Sequence, residues 1–164
     1  MIYRLIKDLD DEDIPTILSV YRQPSISRFI SIDEENYWKY ITSTDNVYFY
    51  KIYKDDILLA TVHLELVDCV LYMSVVVFPE YQKQGIATTI LKDIQAGKIG
   101  LDFDKIQVSI DEKNIASLKL FESFGFICVN KDEELLEYEY RKNKVTLLLL
   151  TLTSILLSLV TLRQ

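Results

Sequence analysis

Residues Val75 to Leu91, VVVFPEYQKQGIATTIL, pass from a β-branched run to a helix-like pattern across a short polar turn. Val75, Val76 and Val77 have the branching that favours a pleated strand, and Pro79 ends the run. After Gly85, apolar residues recur at Ile86, Ala87, Ile90, Leu91 and Ile94, one face of a helix. A second strand pattern, Lys105 to Ile110, follows that helix. A strand, a compact helical crossover and another strand imply a parallel pair. A glycine where the helix begins also allows close backbone approach, next to N–H groups with no intrahelical partner and a positive dipole end. Such a turn either serves as a plain connection or cradles an anion. The dinucleotide fingerprint and the P-loop are both absent.

The remaining patterns surround this unit with antiparallel structure. Ile2 to Lys7 alternates as a strand. Ile14, Ile17, Leu18 and Tyr21 recur at helical spacing, with Asp11 or Asp13 as start signals and Pro15 in the first turn. Arg22 to Asp33, with Pro24 and three serines, reads as a loop, and Glu34 to Thr42 as a short helix. Val47 to Tyr53, Ile57 to Leu66 and Cys69 to Phe78 form a meander, the first two joined by Lys54-Asp55-Asp56. Asn114 suits an N-cap for a helix carrying Ile115, Leu118, Phe121 and Phe124, and Gly125 stops it. Phe126 to Lys131 and Leu135 to Lys142 close with a hairpin.

The 164 residues, 49% apolar and 26% charged, suit one domain with a sizeable core. A formal net charge of −7 disfavours broad nucleic-acid binding, which needs clustered Lys and Arg. The acidic run Asp8, Asp10, Asp11, Glu12 and Asp13 reads as a solvated loop and helix start. Cys69 and Cys128 are expected to be buried free thiols. Two cysteines and the lone His63 make neither a disulfide framework nor a multi-histidine metal site, so no metal is expected.

Two blocks, VVVFPEYQKQGIATTIL and NIASLKLFESFGF (Asn114 to Phe126), give the sequence its resemblance to a known family. The first resembles the strand, pyrophosphate loop and helix of the GNAT superfamily of acyl-CoA-dependent N-acetyltransferases. The second resembles that family's Asn-x-x-Ala/Ser…Leu-Tyr/Phe-x-x-x-Gly-Phe helix. By element order the resemblance covers about Ile2 to Lys142. It implies an α/β fold of the α+β kind: a central mixed, mostly antiparallel sheet of about six to seven strands, flanked by about four helices. Strands 4 and 5 are then parallel and splayed.

The resemblance also implies acetyl-CoA as cosubstrate and an amine as acceptor. The amides of Gln84, Gly85, Ile86 and Ala87 would hold the CoA pyrophosphate, with Gln82 and Lys83 at the rim and the Thr88 hydroxyl near the helix start. The main chain of Val75 and Val77 would pair with the pantetheine arm as an added strand. Asn114 would contact the cofactor near the splay, and an N–H around Val76 or Val77 would serve the oxyanion.

Two positions depart from the family. The Tyr that many members use as general acid, seven residues after the Asn, is here Phe121. The Glu that some use as base, five residues before it, is here Ser109. A thiolate is a tolerable leaving group near neutral pH, so the loss of the phenol does not abolish the reaction. His63, Glu65 and Asp111 are candidate bases, although Asp111 also suits the turn before Asn114. Regular alternation puts His63 and Glu65 on one strand face, where they would equally suit a solvent-facing surface. Tyr72 and Ser74 share a direction along their strand, where Tyr72 reads as cleft wall or core. Arg28, in the Pro24 to Phe29 loop, lies where the family gates its acceptor. An alternative to catalysis is a non-catalytic acyl-CoA-binding module.

After residue 142 the composition changes. Val145 to Leu162 has no charge, with twelve apolar residues and six Ser or Thr. As a helix it would span about 27 Å, close to a bilayer core. The expected organisation is therefore a domain over residues 1–142 and an apolar tail over 143–164. Three readings of the tail stay open: a membrane anchor, an extra helix packed on the domain or a partner, and a non-native extension. The expected location is the cytoplasm; if the tail spans a membrane, Arg141, Lys142 and Lys144 ahead of it would put the domain on the cytoplasmic face. A homodimer also stays open.

Overall fold

The computed structural model describes residues 1–142. The elements run β1 (Ile2–Leu5), α1 (Ile14–Tyr21), α2 (Pro24–Ser27), α3 (Tyr37–Ser43), β2 (Val47–Lys54), β3 (Ile57–Val67) and β4 (Val70–Val77). A 3-10 turn (Pro79–Tyr81), α4 (Ile86–Gln95), β5 (Lys105–Asp111), α5 (Ile115–Ser123), β6 (Ile127–Asp132) and β7 (Leu135–Arg141) follow. The seven strands form one sheet in the order β1-β2-β3-β4-β5-β7-β6. Only β4 and β5 are parallel, as a helical crossover between them requires.

Strand alternation sends two sets of side chains to opposite faces. One face packs Val62, Leu64, Leu71, Met73, Ile106 and Val108 against Ile90, Leu91 and Ile94 of α4 and Phe121 of α5. The other packs Val47, Phe49 and Val76 against Ile14, Ile17 and Tyr21 of α1, Ile26 of α2 and Trp38 and Ile41 of α3. Tyr21 reaches the sheet through a buried hydroxyl pair with Thr61, 2.8 Å apart.

The parallel pair meets over three positions only, Val70 with Lys105, Leu71 with Ile106 and Tyr72 with Gln107. Beyond Tyr72 the strands diverge. β4 stays paired with β3 through Val77, and β5 stays paired with β7 through Asp111. A wedge therefore opens in the middle of the sheet, with Ser74 and Ser109 each two positions beyond the last pair.

The segment expected to be a loop after α1 instead contains the short helix α2, since Pro24 supplies a suitable first-turn φ. The helix expected from Glu34 begins at Tyr37, after a turn in which Asp33 accepts from the Glu35 N–H and the Asn36 side chain. Five helices, where about four were expected, flank the sheet. Both cysteines are exposed, contrary to expectation. Cys69 sits in the two-residue β3–β4 turn with Asp68, both at positive φ, and Cys128 lies on the open edge strand β6. Val145 to Leu162 falls outside the described residues, among which no helix is long and apolar enough to cross a membrane.

Candidate active site

The wedge opens into a cavity of about 450 Å³. Its wall includes Val75, Val76, Val77, Gln82, Lys83, Gly85, Ile86, Ala87, Thr88 and Asn114 from the sequence expectation. Gln84 is not among the lining residues; its side-chain amide donates back to the Glu80 C=O at 3.2 Å.

At the start of α4, Gly85 takes a left-handed conformation (φ 76°, ψ 9°) and no side chain caps the helix. The first backbone bond there runs from the Thr89 N–H to the Gly85 C=O, at 3.0 Å. The N–H groups of Ile86, Ala87 and Thr88 precede it and face an anion-favouring dipole end. Lys83 is also left-handed at φ 60°, uncommon for a residue with a side chain. Such outliers concentrate at ligand clamps.

The exposed edge of β4 has a fixed polarity. The Phe78 N–H donates to the Leu59 C=O at 2.9 Å. Antiparallel ladder bonds alternate, and the β3–β4 register is unbroken. Ser74, Val76 and Phe78 therefore turn their backbone groups toward β3, while Met73, Val75 and Val77 turn theirs into the wedge. The side-chain amide of Gln82 already donates to the Val77 C=O, at 3.1 Å.

Across the wedge, Asn114 caps α5 by accepting from the Ser117 N–H at 3.3 Å. Asp111 is committed to the same turn: its carboxylate accepts from the Lys113 N–H at 2.7 Å, and its C=O accepts from the Asn114 N–H at 2.8 Å. Phe121 forms part of the wall, its ring packed edge-on against Phe126 with centroids 5.0 Å apart. Arg28 lines the mouth, its guanidinium 4.5 Å from the Phe29 ring centroid.

The three residues expected to carry proton chemistry lie outside this wall, on the face covered by α1 to α3. Glu65 pairs across strands with Tyr72, and His63 with Ser74, which does line the cavity. Tyr72 is exposed and is not core. Glu65 stands beside the Tyr40 hydroxyl. His63 is no surface decoration. Its ring is packed edge-on against Tyr37, its Nδ1 is 3.1 Å from the Tyr37 hydroxyl, and its Nε2 is buried without a partner. Burial pushes its pKa below the ordinary imidazole value, and Glu65 pulls weakly the other way. Tyr37 was missed from the sequence because nothing local marks it; only the packing of α3 on β3 brings it to His63. Among the described residues, no group of three or more His, Cys, Asp or Glu is placed to hold a metal.

An open helix start at the end of a strand, beside a parallel pair that parts halfway, defines a site for an extended ligand with a phosphate at one end. The family model of the GNAT acetyltransferases matches residues 14–126, and the chain belongs to this family of acyltransferases. No curated protein matches the sequence. Among solved structures, a domain from Methanocaldococcus jannaschii aligns with TM-score 0.72 and 20% identity, over 86% of this chain and 97% of that one. The Campylobacter jejuni N-acetyltransferase PseH, in complex with acetyl coenzyme A, aligns with TM-score 0.67 and 11% identity, over 87% and 100%. A Vibrio cholerae spermidine N-acetyltransferase, in complex with CoA and spermine, aligns with TM-score 0.68 and 17% identity, over 85% and 95%. At these identities the shared feature is the fold.

Proposed function

We propose that this chain transfers the acetyl group of acetyl-CoA to a primary amine by direct attack in a ternary complex. The observation that carries the reading is the wedge between β4 and β5, with the uncapped start of α4 at one end. The amides of Gly85, Ile86, Ala87 and Thr88 fit the pyrophosphate, with Lys83 at the rim and Gln84 at its edge. The wedge-facing backbone groups of Val75 and Val77 fit the pantetheine arm. The same polarity narrows the oxyanion donor to Val77, since the backbone of Val76 faces β3. For the arm to pair there, Gln82 must release the Val77 C=O, which frees its amide for the cofactor.

Direct attack is favoured because the cavity wall has no cysteine and none of its serines is hydrogen-bonded to a base. The solved neighbours include enzymes named for spermidine, an acceptor with primary amines. A non-catalytic acyl-CoA-binding module is the second reading, favoured by Phe121 on the cavity wall in place of a proton donor. Calorimetry with acetyl-CoA and a thiol-release assay on an amine panel separate the two. Cofactor binding with turnover is expected. Binding with no turnover on any amine overturns the enzyme reading, and absence of binding overturns both.

On sequence alone, residues 145–162 are proposed to hold the domain on the cytoplasmic face of a membrane. Full-length protein recovered wholly in the soluble fraction overturns that.

A further inference from the structure

Among the described residues of the cavity wall, three are charged: Arg28, Lys83 and Asp111. They are not equivalent. The Asp111 carboxylate is held in the turn before α5, where it accepts from the Lys113 N–H at 2.7 Å. Lys83 stands two residues ahead of Gly85, at the end of the wedge where α4 begins, so its ammonium belongs with the phosphate end of the ligand. Arg28 has neither commitment.

Arg28 reaches the wall from the face of the sheet opposite α4 and α5. Under those two helices the cavity is closed by hydrocarbon, from Val108, Ile110 and Phe121. Ile26 of α2 is buried in the other apolar layer, the one that holds Val76 and Phe78 of the β4 end. Arg28, Phe29 and Ile30 follow directly from α2 and line the cavity on that side, where Ser25 and Arg28 are exposed. With a cofactor's phosphates at the start of α4, an acceptor therefore has its approach along α2.

The guanidinium is positioned there without being neutralised. It lies over the Phe29 ring, 4.5 Å from the centroid, a contact that leaves its N–H edge free to donate. Arg4, Arg22 and Arg141 each pair with a carboxylate, and among the described residues Arg28 is the one arginine that does not. The acidic residues that follow α2 do not reach it: Glu34 pairs with Arg22, and Asp33 is used in the turn before α3.

We propose that Arg28 selects the acceptor, a primary amine that also carries a carboxylate, and binds that carboxylate as its missing counter-ion. The inference rests on the acetyl-transfer reading and names the class of acceptor. The planar guanidinium offers a carboxylate two parallel N–H donors, which fixes orientation as well as charge. The same charge count works against a polyamine. A second ammonium would meet Arg28 and Lys83 and find no wall carboxylate free to take it, since Asp111 is held by its own turn.

Matched pairs test this on the full chain with acetyl-CoA. Free amino acids are compared with their carboxamides, and short peptides with an acidic first or second residue with their amide counterparts. Spermidine serves as the cationic comparator. A carboxylate near an amine raises the amine's pKa, so less of it is neutral at a given pH. A preference for the acid over the amide thus cannot come from amine basicity. For pairs that react, kcat/KM is expected to be about tenfold higher for the acid, chiefly through KM. In Arg28→Gln the ratio should fall to near one as the KM of the acid rises, with acetyl-CoA affinity by calorimetry within twofold of wild type. Arg28→Lys should recover part of the ratio, because it keeps the charge and loses the fork. The set of pairs that shows the ratio tells a free amino acid's own carboxylate from a peptide side chain's. Turnover of the amides or of spermidine that matches or exceeds that of the acids overturns this inference and leaves acetyl transfer standing. So does an Arg28→Gln variant that keeps the ratio, or one that loses acetyl-CoA affinity instead, which would give the guanidinium to the cofactor's phosphates. A panel on which no amine reacts overturns both.

Discussion

Gly85 and Gly97 make a matched pair for separating strain from binding. Their φ values are 76° and 75°, and a Cβ on either meets nothing within 4 Å. Alanine at either position should therefore cost the left-handed penalty of roughly 1–2 kcal/mol and no packing energy. Only Gly85 stands at the open amides of α4. Gly85→Ala and Gly97→Ala should lose similar stability in denaturant melts, whereas calorimetry should show at least a tenfold loss of acetyl-CoA affinity in Gly85→Ala alone. Equal affinities would remove the pyrophosphate from this turn. Phe121 offers a complementary gain. Phe121→Tyr restores a phenol at the cavity wall, so kcat should acquire a falling alkaline limb near the phenol's ordinary pKa, about 10, that the wild type lacks. The glycine turn was legible in the sequence because a positive φ at a helix start is a local demand. His63 was legible only as a candidate. Its enclosure comes from Tyr37 and Phe49, which lie far off in the chain and meet it only after α3 and β2 pack.

At the scale of elements, α1 is tied to the sheet by charge as well as by its apolar face. The Lys51 ammonium on β2 is buried, 2.7 and 2.8 Å from the two Asp11 carboxylate oxygens and 2.6 Å from Asp13. Tyr53 also donates to Asp13. Desolvation alone would raise the Asp13 pKa, but the hydrogen bonds from Lys51 and Tyr53 overcome it and leave the pKa below the usual value. Stability from this group is thus fully present above the ordinary carboxylate range and is lost as pH falls from there through the lowered native value. Lys51→Met leaves the carboxylates without their cation and should cost about 3 kcal/mol near neutral pH. The same variant should show a flatter decline of the urea midpoint between neutral and acid pH, because Asp13 no longer gains from ionising. The sequence reading took the acidic run as solvated. The run contained the right helix start, but the partner of Asp11 and Asp13 lies about forty residues away on β2, beyond any local pattern. The meander, the parallel crossover and the Asn114 cap were legible for the opposite reason: hairpin turns, a compact helix and a cap are written in neighbouring residues. The helix α2 was hidden because a single turn begun by Pro24 has too few positions to show a period.

For the whole molecule, the arrangement makes one sheet serve as both core and site. β1 to β4 on one side and β5 to β7 on the other stay paired strand to strand, with register shifts only at Ile52/Tyr53 and Cys128/Asn130, so opening the wedge between them sacrifices only the distal pairs of β4 with β5. The two apolar layers bridge that opening from both faces, α4 and α5 on one and α1 to α3 on the other. Every residue assigned to the cofactor precedes β7, which closes the edge of β5. The closure ends at Lys142, whose N–H donates to the Asp104 C=O at 2.9 Å and whose ammonium lies 3.8 Å from the Phe103 ring centroid. Ending the chain after Lys142 should therefore leave the melting temperature within about 2 °C and acetyl-CoA affinity within twofold. Ending it after Asp132 removes β7, strips β5 of seven paired positions and uncovers Val108 and Ile110. That variant should not fold. Thermal melts and calorimetry on the two truncations check both outcomes. A loss of affinity in the longer one would assign residues 143–164 a part in the site.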